Sequence, residues 1–132
     1  MVATVCDDTH VVLVVDDEEM LEEMIGTLVE EYGCPYASFH DPVKALQHYK
    51  ENSRNVALMV TDLTMPSLSG SDLVRKALEI NPELPIILIT NYVGENIPSD
   101  IPRLVRGTVS KPFTKSEFFH ALQKTVVTAE HR

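Results

Sequence analysis

A doubly wound α/β domain, with one five-stranded parallel sheet and helices on both faces, is the fold class this sequence predicts. Three observations carry that reading. Short β-branched runs alternate with helical patterns along the whole chain. The runs "VVLVV" and "PIILI" are continuously apolar, as strands buried on both faces must be. Five such β–α repeats within 132 residues fit right-handed crossovers in a single sheet, with no linker, low-complexity tract or second domain.

The elements follow in order. Residues 1–9 read as a loosely held lead-in, and Val11–Val15 as the first strand. In "DDEEMLEEMIGTLVEEYG", Met20, Leu21, Met24, Ile25, Leu28, Val29 and Tyr32 recur at helical spacing, and Gly33 stops the helix. Residues 35–39 form a weaker second strand. Asp41 is an N-cap before Pro42 at the first helical position, and Val43, Leu46 and Tyr49 mark the apolar side of that helix. The third strand is read at 56–61, and the third helix at 69–80, closed by Asn81 and Pro82. Residues 86–90 are the fourth strand. "GENIPSDIP" opposes a long helix because Pro98 and Pro102 interrupt it. Residues 104–110 read as a fifth strand. Thr114 and Glu117 have capping-box spacing and open a last helix to about residue 128, leaving 129–132 as a tail.

Composition narrows the function. At 44% hydrophobic residues the chain is neither disordered nor membrane-spanning, and its apolar runs are far too short to cross a bilayer. No charged segment followed by an apolar one opens the chain, so a cytoplasmic location is expected. A net charge of −9 argues against nucleic acid or anionic lipid as partner; it suits a basic partner or a site that concentrates carboxylates. Cys6 and Cys34 have no metal or redox spacing, and two unconnected thiols are favoured over a disulfide.

In such a sheet, ligands bind at the carboxyl ends of the strands. The first strand ends on Asp16 and Asp17, the third on Asp62, the fourth on Thr90 and the fifth on Lys111. Each has a structural reading: helix cap for the acidic pair, turn residue for Asp62, β propensity for Thr90, solvated lysine for Lys111. Their coincidence at one edge favours a site. Three close carboxylates cannot all stay ionised without counter-charge, which a hard cation such as Mg²⁺ and the Lys111 ammonium would supply. A carboxylate nucleophile, a metal, and hydroxyl and ammonium donors are the parts phosphoryl transfer needs.

The motifs "VVDDEE", "TDLTMPSLSG", "LIT" and "SKPF", in that order, resemble the receiver domain of two-component response regulators, over residues 11–127. The resemblance implies a flavodoxin-like sheet of order 2-1-3-4-5, with residues 10–128 as the receiver domain. It implies that Asp62 accepts a phosphoryl group from a phosphohistidine on a histidine kinase or histidine phosphotransfer domain. Asp16, Asp17, Asp62 and the backbone carbonyl of Thr64 would hold Mg²⁺. Thr90 and Lys111 would bind phosphoryl oxygens, and Lys111–Pro112 would be cis. Such a domain catalyses its own phosphorylation and dephosphorylation and is not a conventional enzyme.

Three positions depart from the family pattern. Thr108 stands where an aromatic switch residue is usual, Asn91 where a small residue is usual, and Pro98 and Pro102 fall in the fourth-helix region. A monomer or weak dimer acting as a phosphate relay or sink is therefore expected, and the motif forms are similar to receivers attached to hybrid histidine kinases. The rival reading is a receiver-like interaction module that is not phosphorylated, but such a module is expected to lack one of the acidic pair, Asp62 or Lys111. A flavin protein would need a glycine-rich phosphate loop after the first strand. A dehalogenase-type phosphatase would need Asp-x-Asp there, and "VVDDEE" supplies neither.

Overall fold

The computed structural model describes residues 10–91 and 97–130, with the side chains of 126–130 left aside. Five strands, β1 (Val11–Val15), β2 (Tyr36–Phe39), β3 (Val56–Asp62), β4 (Ile86–Thr90) and β5 (Gly107–Ser110), form one parallel sheet of order β2-β1-β3-β4-β5. The helices are α1 (Glu19–Tyr32), α2 (Pro42–Asn52), α3 (Gly70–Ile80), α4 (Ile101–Leu104) and α5 (Lys115–Glu130).

The two-residue period of a strand divides the core into two layers. Leu13, Val15, Met59, Ile86 and Leu88 face one side and pack with Leu46, Tyr49, Leu73 and Val74 of α2 and α3. Val12, Val14, Leu58, Val60, Ile87 and Ile89 face the other, against Ile25 and Val29 of α1 and Phe118 and Leu122 of α5. The central strands are apolar along most of their length, up to Thr61 and Asp62 of β3 and Thr90 of β4, because each face has its own helices to bury against.

The caps follow the sequence signals. Asp41 accepts from the Val43 amide at 2.9 Å, and Ser69 accepts from the Asp72 amide at 3.1 Å. Thr114 and Glu117 close a reciprocal box, with Thr114 N–H donating to Glu117 Oε1 at 2.8 Å and Glu117 N–H to Thr114 Oγ1 at 3.1 Å. Gly33 ends α1 at φ 110°, a left-handed conformation that favours glycine.

Several expectations are corrected. Met20 is 85% exposed, Met24 41% and Val43 51%, so none of them belongs to the buried stripe of its helix. Glu22 is buried on α1 instead, with His40 Nδ1 3.6 Å from its carboxylate. The fifth strand begins at Gly107, because Leu104 completes the one-turn α4 that starts at Ile101, with Pro102 in its first turn. Cys34 is disulfide-bonded, against the expectation of unconnected thiols; Cys6 lies outside the described residues.

Candidate phosphoryl-transfer site

Sheet register brings the expected residues to one edge. Val15 of β1 pairs with Thr61 of β3, so Asp16 and Asp62 leave the sheet at the same level. Asp62 pairs with Ile89 of β4, which sets Thr90 one step beyond it, and Thr90 pairs with Ser110. The Lys111 amide then donates to the Thr90 carbonyl at 2.8 Å, and Lys111–Pro112 is cis.

The carboxylates of Asp16, Asp17 and Asp62 each offer an oxygen, and these oxygens lie within 4.8 Å of one another. Asp16 and Asp62 are buried, whereas Asp17 is exposed. Lys111 Nζ stands 3.5 Å from Asp62 Oδ2, 3.9 Å from Asp16 Oδ2 and 3.8 Å from Glu18 Oε1. One ammonium thus faces three of the four carboxylates clustered here. The cap reading of Asp16 is partly met, since its Oδ1 accepts from the Glu18 amide at 2.9 Å. Glu18 itself is the N-cap residue of α1, and its side chain makes no capping bond.

Burial, opposed by the hydrogen bond from Glu18 and reinforced by the nearby charge of Asp62, raises the Asp16 pKa from 3.8 to about 6. The Asp62 pKa is also raised, mainly by burial, with Lys111 opposing and Asp17 reinforcing the shift. Asp16 Oδ2 and Asp62 Oδ1 are buried without a hydrogen-bond partner. Buried carboxylate oxygens with no donor, converging beside a third carboxylate, are a donor set suited to a hard oxygen-seeking cation.

A pH dependence follows. Between pH 3.8 and about 6 the folded protein retains an Asp16 proton that the unfolded chain has released. Stability therefore falls as pH rises through that window, by about 2–3 kcal/mol in total. Half-buried Asp100, whose pKa is lowered by its hydrogen bonds from Arg75, works in the opposite sense at lower pH. Urea unfolding in EDTA at pH 4.5 and pH 7 should show the loss, and saturating Mg²⁺ should reduce it. A midpoint that rises across the window in EDTA would contradict the burial of Asp16.

The loop after β3 is shaped by Gly70. Its amide donates to the Leu63 carbonyl at 2.7 Å, and a Cβ there would lie 2.0 Å from the Asp62 carbonyl oxygen. Only a residue without a side chain lets α3 start against the strand end that carries Asp62. Thr64 is exposed in this loop. Two features were not assigned a role from sequence. Glu18 lies beside Lys111, for which "VVDDEE" was the available signal. Arg75 grips Asp100 through two hydrogen bonds of 2.9 and 2.8 Å, tying α3 to the residue before α4, and nothing local signalled that pairing. Thr108 is exposed on β5, and the Asn91 carbonyl accepts from Ser110 Oγ at 3.2 Å.

Comparison with known proteins agrees with this geometry. The chain is 31% identical over 122 residues to the response regulator receiver protein CpdR of Brucella abortus, covering 91% of this chain and 98% of that protein. It is 28% identical over 111 residues to the autoinducer 1 sensor kinase/phosphatase LuxN of Vibrio campbellii, covering 84% of this chain but 13% of that protein. Its fold is like that of a response regulator receiver domain protein from Clostridium thermocellum, with a TM-score of 0.84 at 24% identity, covering 92% of this chain and 98% of that one. The model of the response regulator receiver domain matches residues 12–123, and the chain belongs to that family.

Proposed function

We propose that this domain accepts a phosphoryl group on Asp62 from a phosphohistidine of a histidine kinase or histidine phosphotransfer domain. The observation that carries the reading is the convergence of Asp16, Asp17 and Asp62 with Lys111 at the carboxyl edge of the sheet. An Asp62 carboxylate oxygen attacks phosphorus, the phosphorus–nitrogen bond breaks, and the imidazole leaves. Burial favours the neutral form of Asp62, so Lys111 serves to keep the nucleophile ionised. Lys111 and the Thr90 hydroxyl then hold phosphoryl oxygens. Asp16, Asp17, Asp62 and the Thr64 carbonyl would hold Mg²⁺, which supplies charge neutralisation on the phosphoryl oxygens. Residues 10–128 are taken as the functional unit, working in the cytoplasm, where a disulfide at Cys34 would be kept reduced.

Incubation with Mg²⁺ and acetyl phosphate should add one phosphoryl group to the intact mass, and reductive trapping should map it to Asp62. A protein that stays unmodified by acetyl phosphate and by a cognate kinase alike would favour the interaction-module reading. For the metal, NMR titration with Mg²⁺ should shift residues at the ends of β1 and β3, and Asp17→Ala should weaken binding about tenfold or more, since it removes the exposed carboxylate of the set. Unchanged shifts in Asp17→Ala would move the metal elsewhere.

Output is proposed to remain local. Thr108 has no ring to turn inward, and α4 is one turn long, so a two-state element of the usual kind has no differential contact to bias it. Analytical ultracentrifugation with and without beryllofluoride should show a monomer in both states. A clear shift to dimer would show that this chain switches by another route.

A further inference from the structure

Of the four carboxylates clustered at the acidic edge, Glu18 alone has no part in the scheme for phosphoryl transfer. It occupies the N-cap position of α1, where short polar side chains are favoured, and its own side chain caps nothing. Its backbone is held twice: the amide donates to Asp16 Oδ1 at 2.9 Å, and the carbonyl accepts from the Glu22 amide at 2.9 Å. The side chain, largely exposed, instead brings Oε1 to 3.8 Å from Lys111 Nζ. The same ammonium stands 3.5 Å from Asp62 Oδ2 and 3.9 Å from Asp16 Oδ2.

Two effects of this contact can be ranked. As an anchor it is weak, because an exposed ion pair contributes little, and half-buried Lys111 keeps its two buried partners without it. As a charge it matters more. A phosphoryl group on Asp62 would bring about two negative charges to the place that the Lys111 ammonium serves. Glu18 then sets a further carboxylate against that ammonium. Its oxygens are not among those that converge as a cation-holding set, so a metal held by Asp16, Asp17 and Asp62 would not take it up.

We propose that Glu18 is a positioning residue that competes, through Lys111, with a phosphoryl group on Asp62 and so weakens the hold of the site on that group. The inference rests on the reading of Asp62 as phosphoacceptor. It sets Glu18 apart from its neighbours in the site, because removing its charge strengthens the bound state, whereas removing Asp62 or Lys111 destroys it.

The test measures beryllofluoride binding at saturating Mg²⁺ by ¹⁹F NMR in the wild-type protein, Glu18→Gln and Glu19→Gln. Glu19→Gln is the control: it removes the same charge from the next residue, which is not among the carboxylates facing Lys111. Glu18→Gln should bind about three- to fivefold more tightly, and Glu19→Gln should match the wild type to within about 1.5-fold. In 1 M NaCl the gain should shrink below about twofold, because salt screens an exposed carboxylate. In EDTA without beryllofluoride, the Lys111 ¹⁵Nζ signal should shift in Glu18→Gln and not in Glu19→Gln. Equal or weaker binding by Glu18→Gln, an equal gain in Glu19→Gln, a gain that resists salt, or an unmoved Lys111 signal would each overturn this inference alone. Absence of binding in all three proteins would overturn the phosphoacceptor reading, and this inference with it.

Discussion

Asp62→Asn is expected to abolish phosphorylation by acetyl phosphate while leaving the protein folded and somewhat more stable. The amide has the shape of the carboxylate but is too weak a nucleophile to attack phosphorus. Its stability effect has a separate cause. Asp62 is buried, its pKa is raised mainly by that burial, and Asp17 adds repulsion. Replacing the charge with an amide removes a desolvated carboxylate and weakens its two favourable contacts, the 3.5 Å approach of Lys111 Nζ and the hydrogen bond from the Leu63 amide. A gain of about 1 kcal/mol in EDTA near pH 7 is expected. Intact-mass spectrometry and urea unfolding read the two effects independently. A phosphoryl group that persists in the variant, on Asp16 or Asp17, would overturn the assignment of the nucleophile.

Gly70→Ala is expected to destabilise the fold by about 3 kcal/mol or more and to depress phosphorylation in whatever folded protein remains. Alanine is the better helix former, and by propensity alone the change would gain about 1 kcal/mol. The added methyl would instead sit 2.0 Å from the Asp62 carbonyl and 2.7 Å from Leu63 Cα, both main-chain atoms of the site strand. No side chain can turn aside to relieve that contact, so α3 or the end of β3 must move. Movement of β3 carries the nucleophile with it. A variant with wild-type urea midpoint and wild-type phosphorylation would show that the loop yields without strain.

Much of this molecule was legible in its sequence because the signals are local. Continuous apolar runs mark strands buried on two faces, and the structure accordingly splits residues such as Val12 and Leu13 between two core layers. Asp41, Ser69 and Thr114 cap helices through hydrogen bonds that reach only two or three residues along the chain. The carboxyl-edge rule for α/β sheets then gathered Asp16, Asp17, Asp62, Thr90 and Lys111 into one candidate site.

Periodicity was a weaker guide to which helical residues are buried. Met20 and Val43 satisfy the helical spacing yet are exposed, whereas Glu22 and Pro42, in the same first turns of α1 and α2, are buried. The sequence also carries no local mark of the Arg75–Asp100 pairing, which joins residues 25 positions apart.

By itself, then, the sequence determined the alternation of elements, the caps, and the residue types standing at the carboxyl ends of the strands. Only the tertiary structure decided how those residues meet. Register set Asp16 level with Asp62, burial raised both carboxyl pKa values, and one lysine was left facing Asp16, Glu18 and Asp62 together. Spacing along a chain encodes which face a residue takes, whereas desolvation and charge depend on atoms brought from distant segments, and those exist as neighbours only once the sheet has closed around them.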